Sequence, residues 1–270
     1  MTKIFKWTSG VFEDLEEKHP SRNTNFRIEH FPEVASTNTT VLEKALAGEP
    51  EGYVAVAIEQ TGGRGRLGRK WEARPGGLWM SLLLRPGVPL AAWGGLNLIA
   101  SLAVQQAIHS LTELPVSIKW PNDLLIDGKK VCGMLMESHF APGGNPFLIW
   151  GIGVNVQNDI PAELHDTATS LAQAGAGVAA AELRDGILSH LAGHYSRFHD
   201  DPPYLEEIHR NYLTHSATLG SRVRVIMSHG PTLPGMAVDL DPEGRLWLQT
   251  DTGIEKILAG DVVHLRPEDI

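Results

Sequence analysis

The sequence predicts an α/β fold in which a mixed sheet is followed by a small C-terminal β-barrel. Three observations predict it. Apolar runs of strand length recur between residues 54 and 156, among them VAVAIE, LWMSLLL and FLIWGIGVNV. Between two of these runs, Ala92 to Leu114 repeats apolar residues at the spacing of one helix face. After Thr214 the pattern changes to short alternating segments separated by turn signals such as Asp241-Pro242, which is typical of a small barrel.

The composition favours a cytoplasmic protein with a sizeable core. The chain has 270 residues, of which 42% are hydrophobic, and a net charge of −9. An acidic balance argues against general nucleic-acid binding, which requires a basic face. A single cysteine, Cys132, excludes an internal disulfide and favours a reducing compartment. No apolar run approaches the roughly 20 residues that span a bilayer. We therefore expect no membrane partner, and the acidic balance leads us to expect no nucleic acid.

The first half of the chain begins with a segment that is hard to assign. Residues 1–25 mix charges with scattered aromatic residues and predict an extension or a short helix. The next segment, FRIEHF, alternates apolar and polar residues as a half-buried strand does. Ser36 or Thr37 then caps a predicted helix that ends near Gly48.

The second half continues the alternation of strands and helices. Pro115 precedes three short strands, VSIKW, DLLI and VCGMLME, and Asp127-Gly128 forms the hairpin turn between the last two. Amphipathic helices are predicted at 178–199 and 204–213, where they would cover the sheet.

A cationic loop interrupts the predicted strands. We call residues 62–71, GGRGRLGRKW, the glycine-arginine loop; the stretch from Glu59 to Arg85 around it carries a charge of +4 within an acidic chain. Glycines allow the backbone N–H groups to approach a ligand, and arginines supply planar donor forks for phosphate oxygens. The loop therefore predicts capture of a small anion, although a solvated basic loop without a ligand would show the same charge run.

Several polar residues outside the loop allow a functional and a structural interpretation. Lys119 ends an apolar strand, where a lysine is either paired with a carboxylate or directed at a substrate. Ser36, Thr37 and Asn38 bind a ligand or only cap a helix. Turn chemistry alone explains Asn122 and Asp123 as well as an approach to Mg²⁺ does, and it explains Lys129 and Lys130 as well as phosphate contacts do. Trp71 fits a core position, and Asn155 fits a strand end.

Two of these motifs together resemble the biotin protein ligases, which join biotin to a lysine of a carrier domain. They are GRGRLGRKW and KWPNDLLIDGKKVCGMLME, and the resemblance extends to Ser36–Asn38 and to GIGVNV, so that it covers roughly Phe26 to the C-terminus. It implies an N-terminal extension (1–25), a class II synthetase-like catalytic domain (26–215) and an SH3-like C-terminal domain (216–270). Many relatives carry an N-terminal helix-turn-helix, which needs three helices; residues 1–25 are too short for one, and we expect no repressor role.

The resemblance also implies a function and a set of site residues. Biotin and ATP, with Mg²⁺ on its phosphates, would form biotinyl-5'-AMP, and the partner would be a biotin carboxyl carrier protein domain of acetyl-CoA carboxylase or a similar enzyme. A homodimer is compatible with it. Catalysis is assigned to Lys119 and Arg66. The residues assigned to biotin are Ser36, Thr37, Asn38, Gln60, Gly63, Arg64, Gly65, Arg66, Lys119 and Gly133. Those assigned to the nucleotide are Arg66, Arg69, Trp71, Asn122, Lys130 and Asn155, with Asp123 as the metal ligand.

Three alternatives remain at this point. A lipoate or octanoate ligase or transferase would share the fold. A biotin-sensing repressor or a non-catalytic adenylate-binding protein would share the binding residues.

Overall fold

The structure, a computed structural model, describes residues 5–8, 11–14, 18–20, 25–200, 204–227, 232–258 and 260–264. The first ten strands are β1 (Phe5–Thr8), β2 (Val11–Asp14), β3 (Lys18–Pro20), β4 (Asn25–Val34), β5 (Tyr53–Gln60), β6 (Leu78–Leu84), β7 (Ser117–Lys119), β8 (Asp123–Ile126), β9 (Lys129–Phe140) and β10 (Pro146–Val154). The last five are β11 (Arg222–Ile226), β12 (Thr232–Leu240), β13 (Leu246–Thr250), β14 (Gly253–Ile257) and β15 (Asp261–His264). The α-helices are α1 (Thr37–Leu46), α2 (Gly94–Thr112), α3 (Ala180–Asp200) and α4 (Tyr204–His215).

An eight-stranded mixed sheet forms the centre of the molecule. Its strand order is β3-β4-β5-β6-β10-β9-β8-β7. The pair β4–β5 is parallel and is connected through α1, whereas the other neighbouring pairs are antiparallel. The predicted mixed-sheet α/β fold is therefore confirmed.

Both faces of the central strands are covered, which explains why their sequences are continuously apolar. On β6, Leu82 and Leu84 belong to the large core that includes α2 and α3. Leu83, which points to the opposite face, packs with Val41 of α1 and Phe147 of β10 in a second, smaller core. Successive side chains of a strand point to opposite faces, so a strand with helices on both sides needs an apolar residue at every position.

The helices follow the predictions closely. Helix α2 is two residues shorter at each end than the predicted 92–114, and it stops where Glu113 adopts a left-handed backbone conformation with φ 58°. Helix α1 begins after Ser36, whose backbone is in the extended N-cap conformation. The Ser36 side chain makes no capping hydrogen bond, so this hydroxyl is available for another partner.

The described residues of the N-terminal segment form strands rather than the short helix that the sequence allows. Strands β1 and β2 pair as an antiparallel hairpin. Strand β3 pairs antiparallel with β4 and so adds an outer strand to the central sheet. The resemblance-based boundary at residue 26 thus falls inside β4, which begins at Asn25.

The C-terminal residues form a separate five-stranded antiparallel sheet with the order β14-β13-β12-β11-β15. Its buried residues, such as Val223 and Leu246, belong to the same large core as the central sheet. Trp120 fastens the two sheets together: its backbone N–H donates to Thr218 Oγ1 at 3.0 Å and its indole Nε1–H donates to the Gly244 carbonyl at 2.9 Å. Among the described residues, none of the helices has the length and apolar character needed to cross a bilayer.

Candidate active site

A cavity of about 480 Å³ collects almost all of the residues that the sequence singles out. Those lining it are Ser36, Thr37, Asn38, Gln60, Arg64, Gly65, Arg66, Arg69, Trp71, Lys119, Asn122, Asp123, Lys130, Gly133 and Asn155. Gly63 does not line it. A Cβ at Gly63 would stand 2.5 Å from the Trp71 carbonyl oxygen, so this glycine is required for the loop to pack against itself.

The glycine-arginine loop folds back as a tight turn over the cavity. Gly65 N–H donates to the Arg69 carbonyl at 2.7 Å, and Trp71 N–H donates to the Gly63 carbonyl at 2.9 Å. Leu67 and Gly68 at the tip both have positive φ, 54° and 73°. Glycine adopts this conformation without strain, whereas at Leu67 it costs about 1 kcal/mol or more.

Side chains from four elements form what we call the polar cluster, namely Thr37, Asn38, Gln60, Ser81 and Glu137. Gln60 Oε1 accepts the Thr37 backbone N–H at 2.8 Å. Thr37 Oγ1 lies 2.6 Å from Ser81 Oγ, and Ser81 Oγ donates to Asn38 Oδ1 at 2.6 Å. Asn38 Nδ2 donates to Glu137 Oε2 at 2.6 Å. The cluster is a continuous chain of hydrogen bonds in which both ends of the Asn38 amide are used.

Four basic and two acidic side chains form a second group, the cationic cluster: Arg66, Arg69, Lys119, Lys130, Asp123 and Asp261. Lys119 lies opposite Asp123 in the β7–β8 ladder. Asp123 Oδ1 is 2.6 Å from Lys130 Nζ, and Asp261 forms an ion pair with Arg69. The Arg66 side chain extends from the loop and donates from Nη1 to Asn122 Oδ1 at 3.3 Å. Because cations outnumber carboxylates, the cluster keeps capacity for an anionic ligand.

Burial shapes the electrostatics of the two residues assigned to catalysis. Removal from water lowers the pKa of Lys119, an effect that Asp123 opposes. The pKa of Arg66 is lowered in the same way and is opposed by Asp261 and Asp123. A desolvated cation gains more from a nearby anion than a solvated one. An entering carboxylate or phosphate would therefore stabilise the charged forms of both residues.

Trp71 closes one side of the cavity and rests on two glycines. A Cβ at Gly133 or Gly153, which pair across β9 and β10, would approach the Trp71 ring within 2.8 Å. The ring also meets Trp79 edge-on, with centroids 6.2 Å apart, and Lys130 Nζ lies 5.2 Å above it. Trp71 is thus partly core and partly cavity wall, so the two interpretations of this residue are compatible.

Three polar residues near the cavity are held by other protein groups. Asn155 donates from Nδ2 to the Thr169 carbonyl at 3.1 Å and accepts at Oδ1 from Asn158 at 3.1 Å, which fixes the loop after β10. Lys129 donates to the His165 carbonyl at 2.7 Å and is not among the lining residues. Asp123 forms an ion pair with Lys130. The described residues contain no group of three or more His, Cys, Asp or Glu side chains that could hold a metal ion.

Comparison with known proteins agrees with this geometry. Residues 31–155 match the family described as "Biotin/lipoate A/B protein ligase family", and residues 218–265 match "Biotin protein ligase C terminal domain". The chain is 37% identical over 246 residues to the biotin--[acetyl-CoA-carboxylase] ligase of Mycobacterium tuberculosis, a match that spans 87% of each chain. The chain belongs to the biotin protein ligase family. The bifunctional ligase/repressor BirA of Bacillus subtilis is 39% identical over 247 residues, which is 85% of this chain and 71% of that protein.

A solved biotin protein ligase from Aquifex aeolicus, in complex with biotin and ATP, has the same fold with a TM-score of 0.75 and 33% identity. The superposition covers 88% of this chain and 98% of the Aquifex chain. The resemblance drawn from the two motifs is therefore confirmed for the family and for the combination of a mixed α/β sheet with a C-terminal antiparallel sheet.

The motifs of this biotin protein ligase family member did not reveal three residues of the site. Ser81 is fully buried in β6, and the one available signal was a lone hydroxyl within an apolar run. Glu137 ends the motif KVCGMLME and would pass for an exposed residue at a strand end. Asp261 comes from β15, and nothing around it in the sequence indicates that it reaches the cavity.

Proposed function

We propose that the protein is an ATP-dependent ligase that forms biotinyl-5'-AMP and transfers biotin to a lysine of a biotin carboxyl carrier protein domain. The observation that carries this proposal is that Arg66 and Lys119, which come from separate segments of the chain, line one cavity beside the polar cluster. The proposal is supported by relatives named biotin--[acetyl-CoA-carboxylase] ligase and by the fold shared with a ligase complexed with biotin and ATP.

In the first half-reaction the carboxylate of biotin attacks the α-phosphate of ATP. A bond forms between a carboxylate oxygen and phosphorus, and pyrophosphate leaves with the electrons of the broken P–O bond. Two negatively charged reactants must meet in this step. We assign to Lys119 and Arg66 the role of holding them together, since fixed cations cost no reorganisation as charge builds up.

In the second half-reaction the amine of the carrier lysine attacks the carbonyl carbon of the mixed anhydride. The amide bond forms, AMP leaves, and the nitrogen loses a proton. No protein nucleophile is needed, because the adenylate is already an activated acyl group. The glycine-arginine loop acts as a lid that keeps water from the anhydride until the carrier arrives.

We place biotin on the polar cluster, which includes Gln60, and beside Arg64 and Gly65. The nucleotide lies against Trp71, Arg69 and Lys130. Mg²⁺ enters as part of the substrate MgATP. Among the described residues Asp123 does not form a resident Mg²⁺ site, because its Oδ1 is paired with Lys130 and no group of three or more His, Cys, Asp or Glu side chains surrounds it. No step of the reaction is therefore assigned to a protein-bound metal.

A lipoate ligase is the second candidate, since the matched family includes both classes. The polar cluster favours biotin: a ureido ring has N–H and C=O groups to satisfy such a cluster, whereas the dithiolane ring of lipoate has none. Calorimetry with each acid separates the two, and tight lipoate binding without biotin binding would overturn the assignment.

We also propose the division of the chain into a catalytic unit, residues 26–215, and a C-terminal unit, residues 216–270, that supports the nucleotide side. The cytoplasm is the proposed location, because the chain's only cysteine is a free buried thiol, Cys132.

Incubation with biotin, MgATP and a biotin carrier domain tests the function. The carrier should gain the mass of one biotinyl group on one lysine, with equal amounts of pyrophosphate and AMP released. Omission of ATP should leave the carrier unmodified, and an unmodified carrier in the complete reaction would refute the proposal.

A further inference from the structure

Glu137 is an acidic residue in the polar cluster that neither half-reaction requires. We propose that Glu137 is a positioning residue that sets the direction of the hydrogen bonds from Asn38 to Thr37, and thereby the donors and acceptors offered to the ureido ring of biotin. The inference rests on the proposed function for the identity of the ligand.

The orientation of the Asn38 amide is set by Glu137 and Leu135. Its Nδ2 lies 2.6 Å from Glu137 Oε2 and 3.4 Å from the Leu135 carbonyl oxygen. A carboxylate and a carbonyl only accept hydrogen bonds, so the NH₂ group must face them. Asn38 Oδ1 is consequently turned towards Ser81. Without the carboxylate, the main constraint that keeps the amide from turning over is lost.

The hydroxyl groups of Ser81 and Thr37 continue the chain of hydrogen bonds from Asn38. Asn38 Oδ1 cannot donate, so the single hydroxyl proton of Ser81 must point at it. Ser81 Oγ then accepts from Thr37 Oγ1, 2.6 Å away. The Thr37 proton is used in that bond rather than in the longer 3.1 Å approach to Gln60 Oε1. Both lone pairs of Thr37 Oγ1 remain for a ligand.

Gln60 adds a second ligand-facing group beside Thr37. Its Oε1 is held by the Thr37 backbone N–H at 2.8 Å, which leaves the NH₂ group of Gln60 for another partner. Thr37 and Gln60 both line the cavity. The cluster therefore offers an acceptor at Thr37 and a donor at Gln60, which complement the N–H and C=O groups of a urea.

The carboxylate also strengthens the acceptor at Thr37. Donation from Nδ2 to an anion makes the Asn38 oxygen a better acceptor, and this polarisation passes through Ser81 to Thr37. The same Glu137 oxygen lies 3.5 Å from Arg64 Nη2, so Glu137 has a second link, by charge, to the glycine-arginine loop. Substitutions can separate the two contributions.

Calorimetry with biotin on the full chain tests the inference with Glu137→Ala and Glu137→Gln. Glu137→Ala should weaken biotin binding about tenfold or more, the equivalent of one lost hydrogen bond in a desolvated site. Glu137→Gln can still present an oxygen to Asn38 and should stay within about threefold of the wild type. Glu137→Gln binding as weakly as Glu137→Ala would show that the negative charge, and not the orientation of the Asn38 amide, determines the affinity, and it would overturn the inference.

Three further measurements exclude a general structural effect. The KM for ATP in pyrophosphate release should be unchanged in Glu137→Ala, and desthiobiotin, which keeps the ureido group, should lose affinity by the same factor as biotin. The control Glu29→Ala removes a carboxylate of β4, in the same sheet, that also bonds polar partners, Tyr53 of β5 and Lys44 of α1, and it should bind biotin normally.

The result separates the inference from the function it rests on. A wild type that does not bind biotin refutes the proposed function. If the wild type binds biotin and Glu137→Ala binds it with equal affinity, the inference alone is refuted. Should Glu137→Ala fail to fold, Ser81→Ala interrupts the same chain without touching Glu137. An equally large loss is then expected, and wild-type affinity in Ser81→Ala would likewise overturn the inference.

Discussion

Arg69 of the glycine-arginine loop is ion-paired with Asp261 of the C-terminal sheet. The Arg69 side chain is 62% exposed, whereas that of Asp261 is 11% exposed. The carboxylate is thus a nearly buried anchor on β15, and the arginine reaches it from the glycine-arginine loop. This contact connects the loop, which we propose to be the lid of the cavity, to a strand that follows it by most of the length of the chain.

Asp261→Asn should make the lid open more often. An ion pair whose arginine is 62% exposed is screened by solvent and contributes about 0–1 kcal/mol, so we expect an increase of at most about fivefold in the release of biotinyl-5'-AMP. Released adenylate modifies lysines on any nearby protein. Mass spectrometry of a bystander protein such as serum albumin measures this, with Asp251→Asn on an exposed turn of the same sheet as the control. Equal bystander labelling in both variants would count against the lid contact.

Lys119→Ala should leave the fold intact and reduce adenylate formation by about 10²–10³-fold, as expected for loss of a preorganised charge. Isotope exchange between ATP and pyrophosphate reports this step alone. Lys129→Ala, which removes a half-buried lysine bonded to a backbone carbonyl outside the cavity, is the matched control and should keep wild-type exchange. Normal exchange in Lys119→Ala would show that another group holds the reactants.

Gly153→Ala should displace the Trp71 ring, because the new Cβ would lie 2.8 Å from it. Overpacking of this kind costs about 1–3 kcal/mol of stability, and we expect the KM for ATP to rise more than the KM for biotin. Gly177→Ala is the control, since a Cβ there meets no atom within 4 Å. A melting curve measures the loss of stability, and the KM values for ATP and for biotin show which binding site is affected. An unchanged KM for ATP in a destabilised Gly153→Ala would leave Trp71 with a packing role only.

His194 should make the fold sensitive to acid. Burial lowers the pKa of His194 from 6.5 to about 4. The ring is held between Tyr204 Oη and Gln106 Oε1 at the junction of α2, α3 and α4. The unfolded chain binds this proton more readily than the folded one, so stability is complete above pH 6.5 and falls as the pH drops towards 4.

At 1.36 kcal/mol per pKa unit, the stability lost through His194 reaches at most about 3 kcal/mol. Urea unfolding at pH 7 and pH 4.5 measures it. In His194→Gln, whose amide does not titrate, the difference between the two pH values should shrink. A pH dependence identical to that of the wild type would mean that other groups govern acid unfolding.

The residues that sequence reasoning located are those with a local signal. The glycine-arginine loop departs from an acidic, apolar background, and Lys119 is a charge at the end of an apolar strand. Each of these two signals can be recognised within a segment of about ten residues, without knowledge of the rest of the fold. The central strands and the long helices were likewise predictable, because the period of their apolar residues reflects which faces are covered.

The residues that escaped prediction acquire their surroundings through tertiary contacts. Asp261 looks like any strand-initiating acid until β15 pairs with β11 and brings it to Arg69. Glu137 becomes significant only because Gly151, opposite Leu135 on the neighbouring strand, leaves room for Asn38. In the N-terminal segment, β3 gains its conformation from pairing with β4, a contact that the composition of residues 1–25 does not express.

Trp120 follows Lys119 directly in the chain, and its two N–H groups are bound by Thr218 and Gly244. The peptide that carries the lysine is therefore braced from beyond residue 215. A chain that ends at residue 215 would leave the indole and the backbone N–H of Trp120 without their acceptors, next to the ammonium group to which we assign adenylation. The C-terminal residues therefore help to hold Lys119 in position, and removing them should disturb the cavity as well as the second sheet.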